Sequence, residues 1–351
     1  MIKTILWIFS AIIVIDITIN FAIERPKNNI KPSKLSQYFD YGLSTEHKLF
    51  RKVSSSDETA DALAKAGWYK SHNKKSSKKT NIFIYGMSFS NHIGEIISKT
   101  DMNFDVNMYA GPGAPLNHSY AYYQNHRPHK KGDVVILGIL ASSLPMINTL
   151  THITSNFEDP AAHFYPKYQL NTNNQLIKKQ LPINTLSELR VAMHDTQQWH
   201  HIKETLKKED CFYNKILFSK NLTDKSVYFR LLKRAWGQRH KLKIIQRYHN
   251  EHGFKNTDKL IEISQSIVKN FAKEVREDGA TPIIILFNNR GFSSHLFSIL
   301  QHTLNSNKIA YYSTHTDFPA ENLDNFIPDG HFKHEIDIHI AKKTLELIYS
   351  M

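Results

Sequence analysis

Two runs in this chain leave little freedom in how it folds. Asp133–Leu140 reads DVVILGIL and Thr281–Phe287 reads TPIIILF, apolar at successive positions rather than at alternate ones. A strand with one wet face alternates. A strand apolar on both faces is buried on both, the condition of a parallel sheet covered by helices. Asn81–Tyr85 (NIFIY) is a shorter run of the same kind, and Phe104–Tyr109 and Lys308–Tyr312 are expected as the two remaining strands. Helical spacing of apolar residues follows or separates them at His92–Ser98, Leu116–Asn125, Asp258–Glu277, Ser294–Leu304 and Glu335–Tyr349. Strands alternating with helices predict an α/β fold, a doubly wound, mostly parallel five-stranded sheet.

Three stretches fall outside that alternation. Residues 145–257 are rich in aromatic and basic residues, notably YFRLLKRAWGQRHKLKIIQRYH from Tyr228 to His249, and predict a largely helical insertion over the sheet's carboxyl edge. Arg230, Lys233, Arg234 and Arg239 in it suit phosphate or a membrane surface, but a solvated helix face accounts for them more simply. Residues 25–80 are polar and irregular, broken by Pro26, Pro32 and the SHNKKSSKK stretch, and predict a stalk with one short helix at Asp57–Trp68. Ile5–Ile23 is an apolar run about as long as a bilayer is thick. Residues 1–24 are therefore expected to be an uncleaved transmembrane anchor, although Asp16 and Asn20 interrupt it at a cost.

Charge and cysteine content narrow the function classes. The 45 Lys and Arg exceed the 32 Asp and Glu, a formal +13 that favours anionic partners. No helix-turn-helix, zinc-finger or RNA-recognition signature accompanies the charge, so no nucleic-acid partner is expected. Cys211 is the single cysteine, which excludes an intrachain disulfide and a Cys-based zinc site. Histidines are frequent (His200, His201, His240, His249, His252, His331, His334), but no carboxylate stands at a diagnostic offset from them. We expect neither metal nor cofactor.

In open α/β sheets ligands bind beyond the carboxyl ends of the strands. Three loops there carry unusual residues. Gly86-Met87-Ser88-Phe89-Ser90 places a serine between strand and helix, where backbone N–H groups stabilise negative charge; alternatively Ser88 or Ser90 caps the helix. Ala110-Gly111-Pro112-Gly113-Ala114-Pro115 lets a backbone amide come close to a reacting carbonyl, or is simply a turn. Pro328-Asp329-Gly330-His331 puts a carboxylate where it can orient an imidazole, or is a surface turn.

In their order and placement these loops resemble the SGNH (GDSL-like) hydrolases over about residues 81–140 and 281–351, within an expected domain spanning 81–351. The resemblance implies a flavodoxin-like SGNH fold, Ser88 as nucleophile, His331 as base and Asp329 as its orienting carboxylate. It also implies oxyanion donors at the Ser88 backbone N–H and at Gly111 or Gly113. Three departures stand out. Met87 occupies a position the family usually gives to an acidic residue, the Asp-to-His spacing is one residue short, and the third-block asparagine is missing at Ala141-Ser142-Ser143. Asn117 or Ser142 is the available substitute. The implied activity is a serine esterase or O-acyltransferase acting on envelope polysaccharide O-acetyl groups or lipid esters. The chain would be held at a bacterial inner membrane with its catalytic domain in the periplasm or outside. The competing expectation is a weak or inactive SGNH-fold binding or scaffold protein of the cell envelope.

Overall fold

The computed structural model describes residues 2–22, 34–54, 80–111, 113–179, 183 and 186–351. The helix expected at Asp57–Trp68 lies outside them. In chain order the principal elements are α1 (Ile2–Ala22), α2 (Lys34–Asp40), α3 (Thr45–Ser54), β1 (Thr80–Met87), α4 (Ser88–Thr100) and β2 (Phe104–Gly111). Then come α5 (Leu116–Asn125), β3 (Val134–Leu140), β4 (Lys167–Leu170), β5 (Leu176–Lys179), α6 (Leu186–His194), α7 (Thr196–Glu209) and α8 (Val227–Tyr248). The chain closes with α9 (Leu260–Glu277), β6 (Thr281–Phe287), α10 (His295–Ser306), β7 (Ala310–Ser313) and α11 (His334–Tyr349). These elements fall into two compact units.

The larger unit holds a five-stranded sheet in the order β2-β1-β3-β6-β7, every adjacent pair parallel. This is the flavodoxin-like order. Its three central strands are the apolar runs: Ile82, Ile84, Val135, Ile136, Leu137, Ile283, Ile284 and Leu286 are all buried. α9 covers the sheet with Leu260, Ile263, Ile267, Phe271 and Val275, one stripe at helical spacing. Burying each such side chain contributes about 1.5–3 kcal/mol.

From β1 the chain goes first to β2 on one side and then to β3 on the other, so the strand order reverses at β1. That reversal opens a crevice at the carboxyl ends of β1 and β3. β1 runs two residues past the expected end at Tyr85, pairing Met87 with Gly111. Gly86 and Gly138 face each other across the β1–β3 pair at this edge, and Ser90 fills the space between them. A Cβ on Gly86 would stand 2.1 Å from Ser90 Oγ, and one on Gly138 2.0 Å from it.

The other unit comprises α1–α3, residues 151–164, and 183–244 with α6, α7 and most of α8. Within residues 145–257, α6, α7 and most of α8 fall in this unit, whereas the β4–β5 hairpin belongs to the sheet unit. Residues 34–54 also differ from the expected stalk, forming α2 and α3 with Leu43, Leu49 and Val53 buried. A buried polar knot ties this unit together. Lys233 Nζ donates to Asp224 Oδ1 and Ser44 Oγ, both at 2.6 Å, and the Ser44 backbone N–H donates to Asp224 Oδ1 at 2.8 Å. Burial pushes the nearby Lys48 ammonium down to about 7.

Among the described residues no helix is long and apolar enough to cross a membrane, so the transmembrane span expected at the N-terminus is without support. α1 does run unbroken over Ile2–Ala22, with Asp16 and Asn20 hydrogen-bonded. Asn20 donates to the Asp16 carbonyl at 2.9 Å, and Asp16 Oδ1 accepts from Ser226 Oγ at 2.9 Å and from the Tyr228 backbone N–H at 2.8 Å.

Candidate active site

Ser88 is the first residue of α4. The N-cap is Met87, with no side-chain capping bond, so neither Ser88 nor Ser90 caps the helix. Ser90 is buried, and its Oγ has no hydrogen-bond partner among the described residues. The Ser88 hydroxyl is turned instead to the last loop, with Oγ 2.8 Å from His331 Nε2. His331 Nδ1 lies 3.1 Å from Asp329 Oδ1. A carboxylate accepts only, so Nδ1 carries the imidazole proton and Nε2 is left to accept from Ser88.

The loop that carries Asp329 and His331 is self-braced. Gly330 N–H donates to the Ile327 carbonyl and Ile327 N–H to the His331 carbonyl, both at 2.9 Å, while Phe326 and Phe332 bridge its base. Gly330 has φ +92°, a left-handed conformation that favours glycine. The His331 backbone N–H also donates to Asp329 Oδ1 at 3.0 Å. That bond, reinforced by the His331 side chain, holds the Asp329 carboxyl below the usual carboxylate range. The Phe89 ring stacks on the His331 imidazole with centroids 4.8 Å apart. Asp329 itself is open to water, its side chain 62% exposed, whereas His331 is 25% exposed.

The residues expected to bind an oxyanion are placed unequally. Ser88 N–H belongs to the first turn of α4, whose leading amides have no intrahelical acceptor. Gly111 is the register partner of Met87, the residue before Ser88. Gly113 has φ +75°, and its carbonyl accepts from Tyr165 Oη at 2.8 Å. Asn117 is fully buried and its Nδ2 donates to the Pro166 carbonyl at 2.6 Å, so the structure uses it to hold the chain after β3. Ser142 leads to a residue that sequence reasoning missed. Its backbone N–H donates to Asn289 Oδ1 at 3.1 Å, and Asn289 Nδ2 donates to Ser142 Oγ at 2.9 Å. Asn289 follows β6, the strand beside β3, so an asparagine does reach the carboxyl edge of β3, from the neighbouring strand. The signal was the Asn288-Asn289 pair directly after TPIIILF.

A second imidazole–carboxylate pair adjoins the first. His92, on α4, has its ring centroid 5.1 Å from that of His331 and its Nδ1 3.1 Å from Asp337 Oδ2. The hydrogen bond to Asp337 raises the His92 pKa against the opposing effect of burial. The other Asp337 oxygen is buried without a partner among the described residues.

Among the described residues no three His, Cys, Asp or Glu side chains gather as a metal ligand set. No family model matches the chain, and no curated protein matches its sequence.

Proposed function

We propose that this protein is a serine esterase or O-acyltransferase of the SGNH kind, working through an acyl-enzyme on Ser88. The observation that carries the proposal is the unbroken hydrogen-bond chain from Ser88 Oγ to His331 Nε2 and from His331 Nδ1 to Asp329, at 2.8 and 3.1 Å, with the serine on a helix N-terminus.

In the proposed reaction His331 Nε2 takes the Ser88 proton as Oγ attacks the ester carbonyl. The carbonyl oxygen becomes an oxyanion held by the Ser88 N–H and a backbone amide at Gly111 or Gly113. Collapse of this intermediate breaks the ester bond, and the leaving alkoxide takes the proton from His331. Water or an acceptor hydroxyl then attacks the acyl-enzyme, giving its proton to His331, and the Ser88 hydroxyl is restored. Oxygen esters on envelope glycans or on lipids are the proposed substrates. Attachment to the membrane through α1 is part of the proposal, and the basic surface suits an anionic envelope.

One observation favours the competing reading, a weak or inactive binding protein of the envelope: the exposure of Asp329, which lets water compete for the carboxylate that orients the base. Burst kinetics with p-nitrophenyl acetate test the choice. An initial burst stoichiometric with protein, absent in Ser88→Ala, is the expected result. No ester turnover by folded wild-type protein would leave the binding reading.

A further inference from the structure

α8 is amphipathic the wrong way round for a helix facing water. Up to residue 244 its inner side buries cations: Lys233 is held by Asp224 and Ser44, and Arg230 Nε donates to the Asp224 carbonyl at 2.7 Å. Its outer side shows Tyr228, Phe229, Leu232 and Trp236, all exposed, with the exposed Arg239 and Lys243 beyond them. A surface helix of a soluble protein does the reverse, and contiguous exposed apolar patches of this kind mark interaction sites. No Asp or Glu occurs anywhere in α8.

The same unit exposes a second apolar surface next to it. Among the described side chains of α1 the half-buried ones are Ile12, Asp16, Ile19 and Asn20, which share one face; Trp7 is 77% exposed and Phe21 85%. Asp16 accepts hydrogen bonds from Ser226 and from the Tyr228 N–H, which fixes α1 against the first turn of α8. The exposed aromatic cluster of α8 therefore begins where α1 meets it.

We infer that the outer face of α8 is a second membrane-contacting surface, continuous with α1, that sinks Phe229, Leu232 and Trp236 into the acyl boundary of a bilayer bearing anionic headgroups. Apolar residues at one end of the face and Arg239 and Lys243 along its length match an interfacial helix, with aromatic side chains in the boundary and cations at the phosphates. The absence of acidic residues from α8 removes the repulsion that such lipids would otherwise meet. This inference rests on the proposed attachment of α1 to a membrane and adds a segment more than two hundred residues distant in sequence. It predicts that the unit lies against the lipid rather than swinging free on a tether.

The test uses the full-length protein with vesicles of phosphatidylcholine and phosphatidylglycerol whose acyl chains are brominated. Trp7→Phe removes the α1 reporter, and the Trp7→Phe/Trp236→Phe pair isolates the contribution of α8. Both proteins are expected to float with the vesicles. Bromine should quench the single variant and lose most of that quenching in the double variant. Flotation with equal, weak quenching in both would overturn the α8 assignment while leaving attachment through α1 intact. Failure to float would overturn both. A dimeric mass with Trp236 protected but insensitive to bromine would assign the face to a second copy of the chain, and so also overturn it.

Discussion

His92 and His331 lie with their rings 5.1 Å apart, yet each is bound to its own carboxylate, His92 to the buried Asp337 and His331 to the exposed Asp329. Two imidazoles so close, with such different partners, divide their tasks. His331 reaches the serine; His92 has its proton held by a carboxylate shielded from water.

The His92–Asp337 pair makes stability depend on pH with a definite sign. Its folded pKa is raised above the ordinary value of 6.5, mainly by the bond to Asp337. The folded state therefore binds the proton more tightly than the unfolded chain. This contribution is fully present below about pH 6.5 and is lost as pH rises through the folded pKa. Melting temperature measured from pH 5 to 9 should show the loss in wild type, and the corresponding component should be missing from Asp337→Asn. Parallel curves for the two proteins would contradict the pairing.

Asp329→Asn should cost less than removal of a shielded triad carboxylate, for which the loss in kcat is about 10⁴. Water already shares the Asp329 side chain, and the braced Gly330 loop holds the His331 backbone independently. A fall of roughly ten- to hundredfold is expected, against about 10⁴ or more for His331→Ala. Steady-state kinetics on small esters compare the two.

Asn117 and Asn289 separate structure from chemistry. Asn117→Ala leaves the Pro166 carbonyl without its buried donor and should destabilise the fold by about 1–3 kcal/mol, with little change in rate per folded molecule. Asn289→Ala removes an amide aligned by two bonds to Ser142 at the carboxyl edge. Taken as a third oxyanion donor beside Ser88 and Gly111 or Gly113, its removal is expected to lower kcat by about 10²–10³. Denaturant melts and kinetics on both variants tell the roles apart.

Gly138→Ala should clash with Ser90, because the added Cβ would stand 2.0 Å from Ser90 Oγ and 2.9 Å from the Phe287 ring. Overpacking of this kind costs about 1–3 kcal/mol. Adding Ser90→Ala removes the nearer clash and should restore part of the loss. Additive losses in the double variant would show that the two positions do not press on each other.

The centre of the sheet was legible because both faces of β3 and β6 are buried, which forces unbroken apolar runs such as DVVILGIL. The loops of the candidate site were legible because Ser88 and Asp329-Gly330-His331 are short, local motifs at strand ends. Other features depend on partners distant in sequence. α3 buries only two apolar residues, Leu49 and Val53, and Ser44 gains its meaning from Asp224 and Lys233. α9 starts at Leu260, not Asp258, because Asp258 and Lys259 take positive φ values of 53° and 58° that no composition signal announces. Asn289 was passed over because an asparagine was sought after β3, while the chain supplies it from β6. The basic residues of α8 were read as a solvated face, whereas Arg230 and Lys233 are buried, because sequence does not say which side of a helix is inward.

Whether His331 activates Ser88 is tested most directly by mass spectrometry of the full-length protein after treatment with a fluorophosphonate. One adduct is expected, located on the peptide containing Ser88 and lost in both Ser88→Ala and His331→Ala. A well-folded wild-type protein that forms no adduct, or forms one on a different serine, would contradict that activation.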